Sequence, residues 1–340
     1  MKTDLLNFTL PELEKYFLSL GEKKYRAKQV FKWIYINRVS SFQEMTNLPV
    51  QLRKKLENHS SLVNLKIKKK NISSESDTIK YLFKLLDNEF IETVLIYERK
   101  RRTVCISTQV GCPLGCKFCA TGEIGHKRNL TIGEIVGQVL SVIKDSKEDI
   151  TNIVVMGMGE PFLNYDNVMK AVNILSDNNG LAVAPRRITI STAGIITAIK
   201  RFADEGNKTK LAISLNAVSD EIRNKLMTVS KKYPINELLD SARYYTKKAN
   251  KKIIFEYVLI NDINDSVEDA KKLSKLVGDI SCKVNLIPYN ITQKKYNKPS
   301  KEKIDIFFRT LSASNIQVNV RWSKGEDISA ACGQLAFFSK

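Results

Sequence analysis

The sequence of 340 residues lacks any apolar run long enough to cross a bilayer, because Lys, Asn or Asp interrupts every candidate. Its first residues, M-K-T-D-L-L-N-F-T-L, lack the continuous apolar stretch of a secretory signal peptide. Cysteine is scarce, with six residues, of which only three lie close together. This pattern favours metal binding or catalysis in a reducing compartment over a disulfide framework. We therefore expect a cytoplasmic protein with no membrane partner.

Acidic residues are also few, with 36 Asp and Glu against 55 Lys and Arg, and the formal net charge is +19. An excess of this size attracts polyanions, although basic charge spread over a solvated surface would give the same composition. Three local clusters favour a polyanionic partner slightly: K-I-K-K-K at 66–70, E-R-K-R-R at 98–102 and H-K-R at 126–128. The last two flank the three clustered cysteines.

The clustered cysteines lie in C-P-L-G-C-K-F-C, residues 112–119, with the spacing C-x3-C-x2-C. A structural zinc site needs four ligands, and no fourth Cys or His follows at the usual distance. His126 would be the nearest candidate for a zinc ligand, beyond the normal spacing, and Cys105 lies upstream. Three thiolates also suit a cluster of four irons and four sulfides, in which one iron stays free to bind a small molecule.

Periodicity divides the chain into three parts. Helical spacing of apolar residues at 10–20, 27–36 and 48–56 predicts a small helical accessory domain over residues 1–60. Alternation between 62 and 97 predicts a β-hairpin or small sheet in a linking segment, residues 61–102. Strands and helices alternate over residues 103–340, which predicts βα units on a parallel sheet. The predicted strands are 103–110, 152–156, 187–192, 210–216, 252–260, 282–287 and 316–321, and the predicted helices are 131–143, 166–175, 195–203, 235–249, 266–277 and 303–313.

The strand faces indicate the shape of this sheet. In the strand at 187–192 the isoleucines alternate with polar residues, and in the strand at 210–216 large apolar residues alternate with small or polar ones. A doubly wound sheet would be apolar on both faces. Six or so parallel strands are too few for the usual eight-stranded barrel. We therefore predict an α/β fold with a partial, open (β/α)6-type barrel whose interior is polar.

The cysteine spacing, with an aromatic residue before the last Cys, resembles the radical S-adenosylmethionine (SAM) superfamily. Longer stretches resemble the RlmN/Cfr group of ribosomal RNA adenosine methyltransferases. These stretches are C-I-S-T-Q-V-G-C-P-L-G-C-K-F-C-A-T-G at 105–122, M-G-M-G-E-P-F-L-N at 156–164, R-R-I-T-I-S-T-A-G at 186–194, N-L-I-P-Y-N at 285–290, A-A-C-G-Q-L at 330–335 and F-I-E-T-V at 90–94. The resemblance covers nearly the whole chain. The helical front part, residues 1–60, resembles the family's accessory domain, which implies that it contacts RNA.

The resemblance implies a [4Fe-4S] cluster and SAM as cofactors. Cys112, Cys116 and Cys119 would bind the cluster, whose open iron would be chelated by SAM. The SAM contacts implied by matching positions are Gly159, Glu160, Ser191, Ser214, Leu215, Asn216 and Asn290. The glycine allows close backbone approach, and the carboxylate can accept a hydrogen bond from the ammonium group of SAM. Where this chain has Asn216, the family usually has His, so the contact there differs in detail.

The resemblance also implies three catalytic residues and two SAM molecules per turnover. Cys332 would take a methyl group from the first SAM, since a thiolate is a good nucleophile. The second SAM would be cleaved to a 5′-deoxyadenosyl radical, which removes hydrogen from the S-methyl group, and the methylene radical then adds to adenine. Cys105 would release the product by forming a disulfide with Cys332, and Glu92 would be the proton acceptor. Read without the resemblance, Cys332 would be a small buried apolar residue and Glu92 a solvated acid on an edge strand.

The implied substrate is 23S rRNA, methylated at carbon 2 of an adenosine in the peptidyl-transferase centre, and an anticodon-loop adenosine of tRNA is a further expected substrate. Pro161 favours the RlmN type over the Cfr type, which methylates carbon 8 and has a small residue at this position. An electron donor such as flavodoxin and a monomeric state are also expected. Two other classes stay open: a non-catalytic zinc protein that binds RNA, and a radical enzyme that forms carbon–sulfur bonds.

Overall fold

The structure is a computed structural model that describes residues 2–62, 65–292 and 296–336. Three helices form its amino-terminal part: α1 (Leu10–Ser19), α2 (Lys24–Lys32) and α3 (Val50–His59). They confirm the three helical segments predicted before residue 60. Thr9 and Glu12 form a capping box at the start of α1, where Pro occupies an early helical position. Two short parallel strands, β1 (Thr3–Asp4) and β2 (Ser60–Ser61), join the two ends of this part.

The rest of the described chain alternates between strands and helices. The strands are β3 (Lys66–Ile72), β4 (Thr78–Lys84), β5 (Phe90–Glu98), β6 (Arg101–Cys105), β7 (Gln109–Gly111), β8 (His126–Asn129), β9 (Asn152–Val155), β10 (Ile188–Thr192), β11 (Lys210–Ser214), β12 (Ile253–Leu259), β13 (Cys282–Pro288) and β14 (Gln317–Val320). The helices are α4 (Thr121–Ile124), α5 (Ile132–Ser146), α6 (Tyr165–Ser176), α7 (Ile196–Asp204), α8 (Asp220–Leu226), α9 (Ile235–Ala249), α10 (Val267–Val277) and α11 (Lys301–Ser312). The six predicted helices after residue 103 are all present, and α5 begins with the predicted capping box of Thr131 and Glu134.

Within the described residues, one ten-stranded sheet has the order β14-β13-β12-β11-β10-β9-β6-β5-β4-β3. Strands β6 and β9 to β14 are parallel, and helices connect most of them in sequence. Strands β3, β4 and β5 are antiparallel, and β5 pairs with β6. The predicted hairpin is therefore a three-stranded extension of the barrel sheet. Residues 63–64, at the start of this predicted strand region, lie outside the described residues.

The sequence prediction was wrong for the single strand over 103–110. The strand β6 ends at Cys105, and the chain then turns before Gln109–Gly111 pairs with β8 in a separate two-stranded sheet. Inside this break, the Ser107 hydroxyl donates to the Glu92 carbonyl at 2.6 Å, and the Ser107 amide donates to the Gln138 side chain at 2.8 Å. At Ser107, hydrogen bonds that involve side chains thus replace the strand-to-strand hydrogen bonds that the alternating pattern predicted.

The predicted difference between the two sheet faces is confirmed. Ile190 and Ile213 are fully buried, whereas Ser191 and Ser214 on the opposite face line a cavity. The sheet therefore packs its apolar face on the helices and keeps small and polar residues for the interior of the barrel. No helix in the described part of the chain combines the length and apolar character needed to cross a bilayer.

The segment after β14 crosses the open side of the barrel to the antiparallel extension. Asp327 accepts hydrogen bonds from the Ser73 hydroxyl at 2.7 Å and the Ser74 amide at 3.0 Å. Lys80 Nζ donates to the Ser329 carbonyl at 3.2 Å. These bonds join residues about 250 positions apart in the sequence. They return the chain to the barrel interior just before Cys332.

Candidate active site

The three clustered cysteines lie in the loop between β7 and α4. Gly111 precedes the loop with a φ of +75°, and a Cβ atom there would lie 1.7 Å from the Gly125 carbonyl oxygen, so only glycine fits. The Cys112 amide donates to the same carbonyl at 2.8 Å, and the Cys119 amide donates to the Cys116 carbonyl at 3.1 Å. These bonds fold the loop back on itself, and all three cysteine side chains line one cavity.

Burial dominates the electrostatics of these thiols. It raises the pKa of Cys112 to about 12 and the pKa of Cys116 well above its ordinary value, with neighbouring cysteines adding to the effect at Cys116. The pKa of Cys119 is also raised by burial. Without metal the thiols stay protonated at neutral pH. A group that binds them must therefore displace the protons, as iron in a cluster does.

The cavity that these cysteines line, called the first cavity below, has a volume of about 950 Å³ including space open to solvent. It lies at the carboxyl ends of the parallel strands, where barrel sites form. The structure brings ten of the thirteen predicted site residues to its wall: Cys112, Cys116, Cys119, Gly159, Glu160, Ser191, Ser214, Asn216, Asn290 and Cys332. The remaining three, Glu92, Cys105 and Leu215, lie elsewhere.

Glu160 lies in the loop after β9, where hydrogen bonds hold both of its carboxylate oxygens. Its Oε2 accepts from the Ala193 amide at 2.7 Å, and its Oε1 accepts from the Phe162 amide at 3.0 Å. Burial raises its pKa to about 7 in spite of these bonds. Next to it, Gly159 has a φ of +101°, and a Cβ atom there would lie 2.6 Å from the Gln109 Cβ. Only glycine lets the strand and the loop approach this closely.

Two asparagines connect the cavity wall to the loops. Asn290 Nδ2 donates to the Cys332 carbonyl at 2.9 Å, while its Oδ1 is buried without a hydrogen-bond partner in the structure. Asn216 has a φ of +59°, and its Oδ1 accepts from the Val258 amide at 2.9 Å. The free Asn290 oxygen on the cavity wall needs a donor, which a ligand with an amino or hydroxyl group would supply. The three cysteines thus fit a [4Fe-4S] cluster, and the Asn290 oxygen fits a hydrogen-bond donor of SAM.

Leu215 was predicted to contact the cofactor, but its side chain is fully buried and does not line the first cavity. Strand alternation turns it away from the interior, between Ser214 and Asn216. Its carbonyl instead accepts from Nε of Arg223 at 3.1 Å. The same guanidinium donates to the Ala193 carbonyl at 2.8 Å, so it joins the loops after β10 and β11. Any cofactor contact at Leu215 would therefore involve backbone atoms.

Cys332 lies where the first cavity meets a second one. The second cavity has a volume of about 840 Å³ including space open to solvent, and Cys105 and Cys332 both line it. Burial, with a smaller contribution from Cys332, raises the pKa of Cys105 to about 12. All six cysteines are free thiols in the structure. The structure thus brings the two predicted catalytic thiols to one cavity, although they are 227 positions apart in the sequence.

Glu92 is a buried acid on an internal strand, so reading it without the resemblance, as a solvated acid on an edge strand, was wrong. Its Oε1 pairs with Lys80 Nζ at 3.1 Å. Burial raises its pKa, while Lys80 and a hydrogen bond from the Ala336 backbone oppose that effect. Glu92 lines neither cavity. Glu92 and Val94 are two residues apart on β5, so their side chains lie on the same face of the sheet. Val94 pairs with Cys105 on β6, which places Glu92 and Cys105 on that face as well.

Two further site residues were not anticipated. Glu256 on β12 is buried and lines the first cavity; its Oε1 accepts from Asn285, and its Oε2 has no hydrogen-bond partner in the structure. Arg321, directly after β14, lines both cavities, and the nearby Cys332 and Glu256 raise its pKa. An acid inside the apolar run I-I-F-E-Y-V-L at 253–259 was the available signal for Glu256. Arg321 gave no comparable signal.

The zinc alternative has no support in the structure. His126 is exposed, and its Nε2 lies 3.4 Å from Gln109 Nε2. Across residues 2–62, 65–292 and 296–336, no three or more His, Cys, Asp or Glu side chains converge on a position for a single metal ion. In a cubane cluster each cysteine binds a different iron, so the three sulfur atoms face one cluster but lie farther apart than the ligands of a single metal ion.

The chain is similar to known proteins that share one enzyme class. Residues 106–274 match the model of the radical SAM superfamily, and residues 3–62 match the ribosomal RNA large subunit methyltransferase N-terminal domain. The crystal structure of a radical SAM methyltransferase from Sphaerobacter thermophilus is 43% identical, with a TM-score of 0.94 over 98% of this chain and 99% of that one. The chain is a radical SAM protein with the partial barrel of that class.

The family follows from curated relatives. The probable dual-specificity RNA methyltransferase RlmN of Alkaliphilus oremlandii is 48% identical over 98% of this chain and 97% of its own length. The dual-specificity RNA methyltransferase RlmN of Pelobacter propionicus is 46% identical over 98% and 96%. The chain belongs to the RlmN family of radical SAM methyltransferases, as the sequence motifs predicted.

Proposed function

We propose that the protein methylates carbon 2 of adenosine in 23S rRNA and in the anticodon loop of tRNA, using one [4Fe-4S] cluster and two SAM molecules per turnover. The observation that carries this proposal is the position of Cys332, which lines both cavities. On one side are the three cluster cysteines and Glu160. On the other side is Cys105.

Each residue has a defined task in this proposal. Cys112, Cys116 and Cys119 hold the cluster, and Glu160 with the free Asn290 oxygen orients SAM. When bound, these cofactors supply a methyl group and the radical that removes a hydrogen atom. Cys332 carries the methyl group to the base through its sulfur, because the base carbon is not nucleophilic enough to attack SAM directly.

Two further residues complete the reaction. Cys105, as a thiolate, attacks the Cys332 sulfur and forms a disulfide with it. The bond between that sulfur and the methylene carbon breaks, and the carbon takes up a proton to become the methyl group of the released RNA. Glu92 accepts the proton that leaves carbon 2; burial raises its pKa, which makes its carboxylate a stronger base. We also propose that the protein is a cytoplasmic monomer and that a small electron-transfer protein of the flavodoxin class reduces it.

Anaerobic reconstitution tests the proposal. The chain is incubated with iron, sulfide, reductant, isotope-labelled SAM and RNA, and the nucleosides are then separated by mass spectrometry. We expect label in 2-methyladenosine. Label only in 8-methyladenosine would overturn the assignment of carbon 2, and zinc rather than iron in anaerobically purified protein would overturn the reaction class.

Cysteine variants test the separate tasks. Cys332→Ala should abolish RNA methylation while SAM cleavage continues, and Cys105→Ala should accumulate a covalent protein–RNA adduct. Cys282→Ala is the matched control, because Cys282 is buried in β13 and lines neither cavity. Normal product release by Cys105→Ala would show that another group releases the RNA.

A further inference from the structure

The second cavity includes a large side chain that the proposed reaction does not use. Trp322 is one of two tryptophans in the chain, and 49% of it is exposed. Tryptophan is usually well buried, because its ring has a large apolar surface. Trp322 instead lines the cavity that contains Cys105 and Cys332. The indole is therefore partly open at the edge of this cavity, where a ligand can contact it.

The backbone around Trp322 is anchored on both sides. The Arg321 amide donates to the Leu286 carbonyl at 2.8 Å, which fixes the chain to β13. Lys324 Nζ donates to the Tyr97 carbonyl at 3.3 Å, and the Gly325 amide donates to the Ser76 hydroxyl at 2.9 Å, which fix the chain to the antiparallel extension. The indole is thus presented from a short segment held between the two halves of the sheet.

Positive charge surrounds this position. Lys324 and Arg321 line the second cavity with Trp322. The turn from β5 to β6 runs through Glu98, which lines the same cavity, and continues into the exposed Arg99, Lys100 and Arg101. An aromatic face beside basic residues is the combination that binds unpaired nucleotides, since the base stacks and the phosphates pair with cations.

We propose that Trp322 stacks on the target adenine and holds it in the second cavity against the Cys332 sulfur. The proposal rests on the proposed function, which supplies RNA as the substrate. The positions of the two thiols indicate that Trp322 contacts the target adenine and not a neighbouring nucleotide. The base becomes bonded to Cys332 and is released by Cys105, and the cavity that both thiols line is the one that Trp322 lines.

Tryptophan fluorescence gives a direct test that does not depend on turnover. In the Trp33→Phe variant, Trp322 is the sole tryptophan. The anaerobically reconstituted variant is titrated with an anticodon stem–loop RNA that carries the target adenosine, and with the same RNA that has an abasic site at that position. Anisotropy of a dye on the RNA reports binding separately. We expect both RNAs to bind and only the first to quench Trp322 strongly.

Other outcomes contradict the proposal in distinguishable ways. Equal quenching by the abasic RNA would mean that Trp322 contacts another nucleotide. Bound RNA without quenching would mean that it contacts no base. RNA that fails to bind at all would contradict the proposed function as well.

Substitution provides a second test. Trp322→Ala should raise the Kd for the stem–loop RNA about tenfold, within the range known for loss of one stacked base. Trp322→Phe should keep most of the affinity, because its ring still offers a face for stacking. Trp33→Phe is the control, since Trp33 lines neither cavity and its Nε1 donates to the Asn47 side chain. Wild-type affinity in Trp322→Ala would overturn the proposal.

Discussion

At the scale of single residues, Glu160 shows how burial and hydrogen bonding compete. Its two amide donors favour the ionised carboxylate, but burial outweighs them and the pKa rises to about 7. In an unfolded chain the pKa of a glutamate is about 4.3. The folded state therefore binds the proton more tightly than the unfolded state, and its contribution to stability is present at low pH and is lost as pH rises towards 7.

This direction of the pH dependence of stability gives a prediction for Glu160→Gln. Between pH 4.5 and 7 the wild type should lose up to about 3 kcal/mol of unfolding free energy relative to the variant, because glutamine does not ionise. Urea denaturation of both cluster-free chains across this pH range measures the difference. A difference that stays constant with pH would contradict the raised pKa.

Gly159 gives a second prediction at this scale. Gly159→Ala should destabilise the chain by about 1–3 kcal/mol more than Gly21→Ala, because the added methyl group meets Gln109. Gly21 is the matched control, since its φ is also positive, at +76°, but no atom lies within 4 Å of a Cβ placed there. Thermal unfolding compares the two variants. Equal losses would show that the loop adapts to the added group.

At the scale of secondary-structure elements, Arg223 connects loops that the sequence separates. It projects from α8 and is fully buried, and it donates to the carbonyls of Ala193, Leu215 and Tyr233. Burial lowers its pKa to about 10, so it remains charged at neutral pH. The carboxyl ends of β10 and β11, which carry cavity residues, are thereby held in one arrangement.

Arg223→Met should lower the unfolding free energy by at least about 3 kcal/mol, because three carbonyls lose their charged donor. It should also weaken SAM binding, since both strand ends at the first cavity are released. Arg243→Met is the control: that side chain forms exposed ion pairs with Asp240 and Asp279, and such pairs contribute about 0–1 kcal/mol. Chemical denaturation and calorimetric titration with SAM provide the two measurements. Equal effects of the two substitutions would contradict the role of Arg223.

At the scale of the whole molecule, the net charge of +19 acts on any nucleic acid. RNA binding should weaken steeply with salt, because each neutralised phosphate releases a counterion. The logarithm of the association constant should fall linearly with the logarithm of salt concentration. Trp322→Ala should lower affinity without changing this slope, since stacking involves no counterion. A changed slope in that variant would indicate that the substitution alters phosphate contacts.

The helices were predictable from the sequence because apolar residues recur at helical spacing along contiguous segments, as in α5 and α9. The polar interior was predictable from alternation in β10 and β11. The cluster cysteines were predictable because they share one short loop. Glu92 was predictable only through the resemblance, since the residues around it do not show that β5 is an internal strand.

Most of the elements, the polar barrel face and the family could be predicted from the sequence, because these depend on neighbouring residues and contiguous motifs. Three features are visible only in the folded chain: the end of β6 at Cys105, the orientation of Leu215 away from the first cavity, and the approach of Cys105 and Cys332 at the second cavity. The structure also revealed the buried Glu256 and the position of Trp322. These features depend on contacts between residues far apart in the chain, which the folded sheet and the segment after β14 create and which no local pattern encodes.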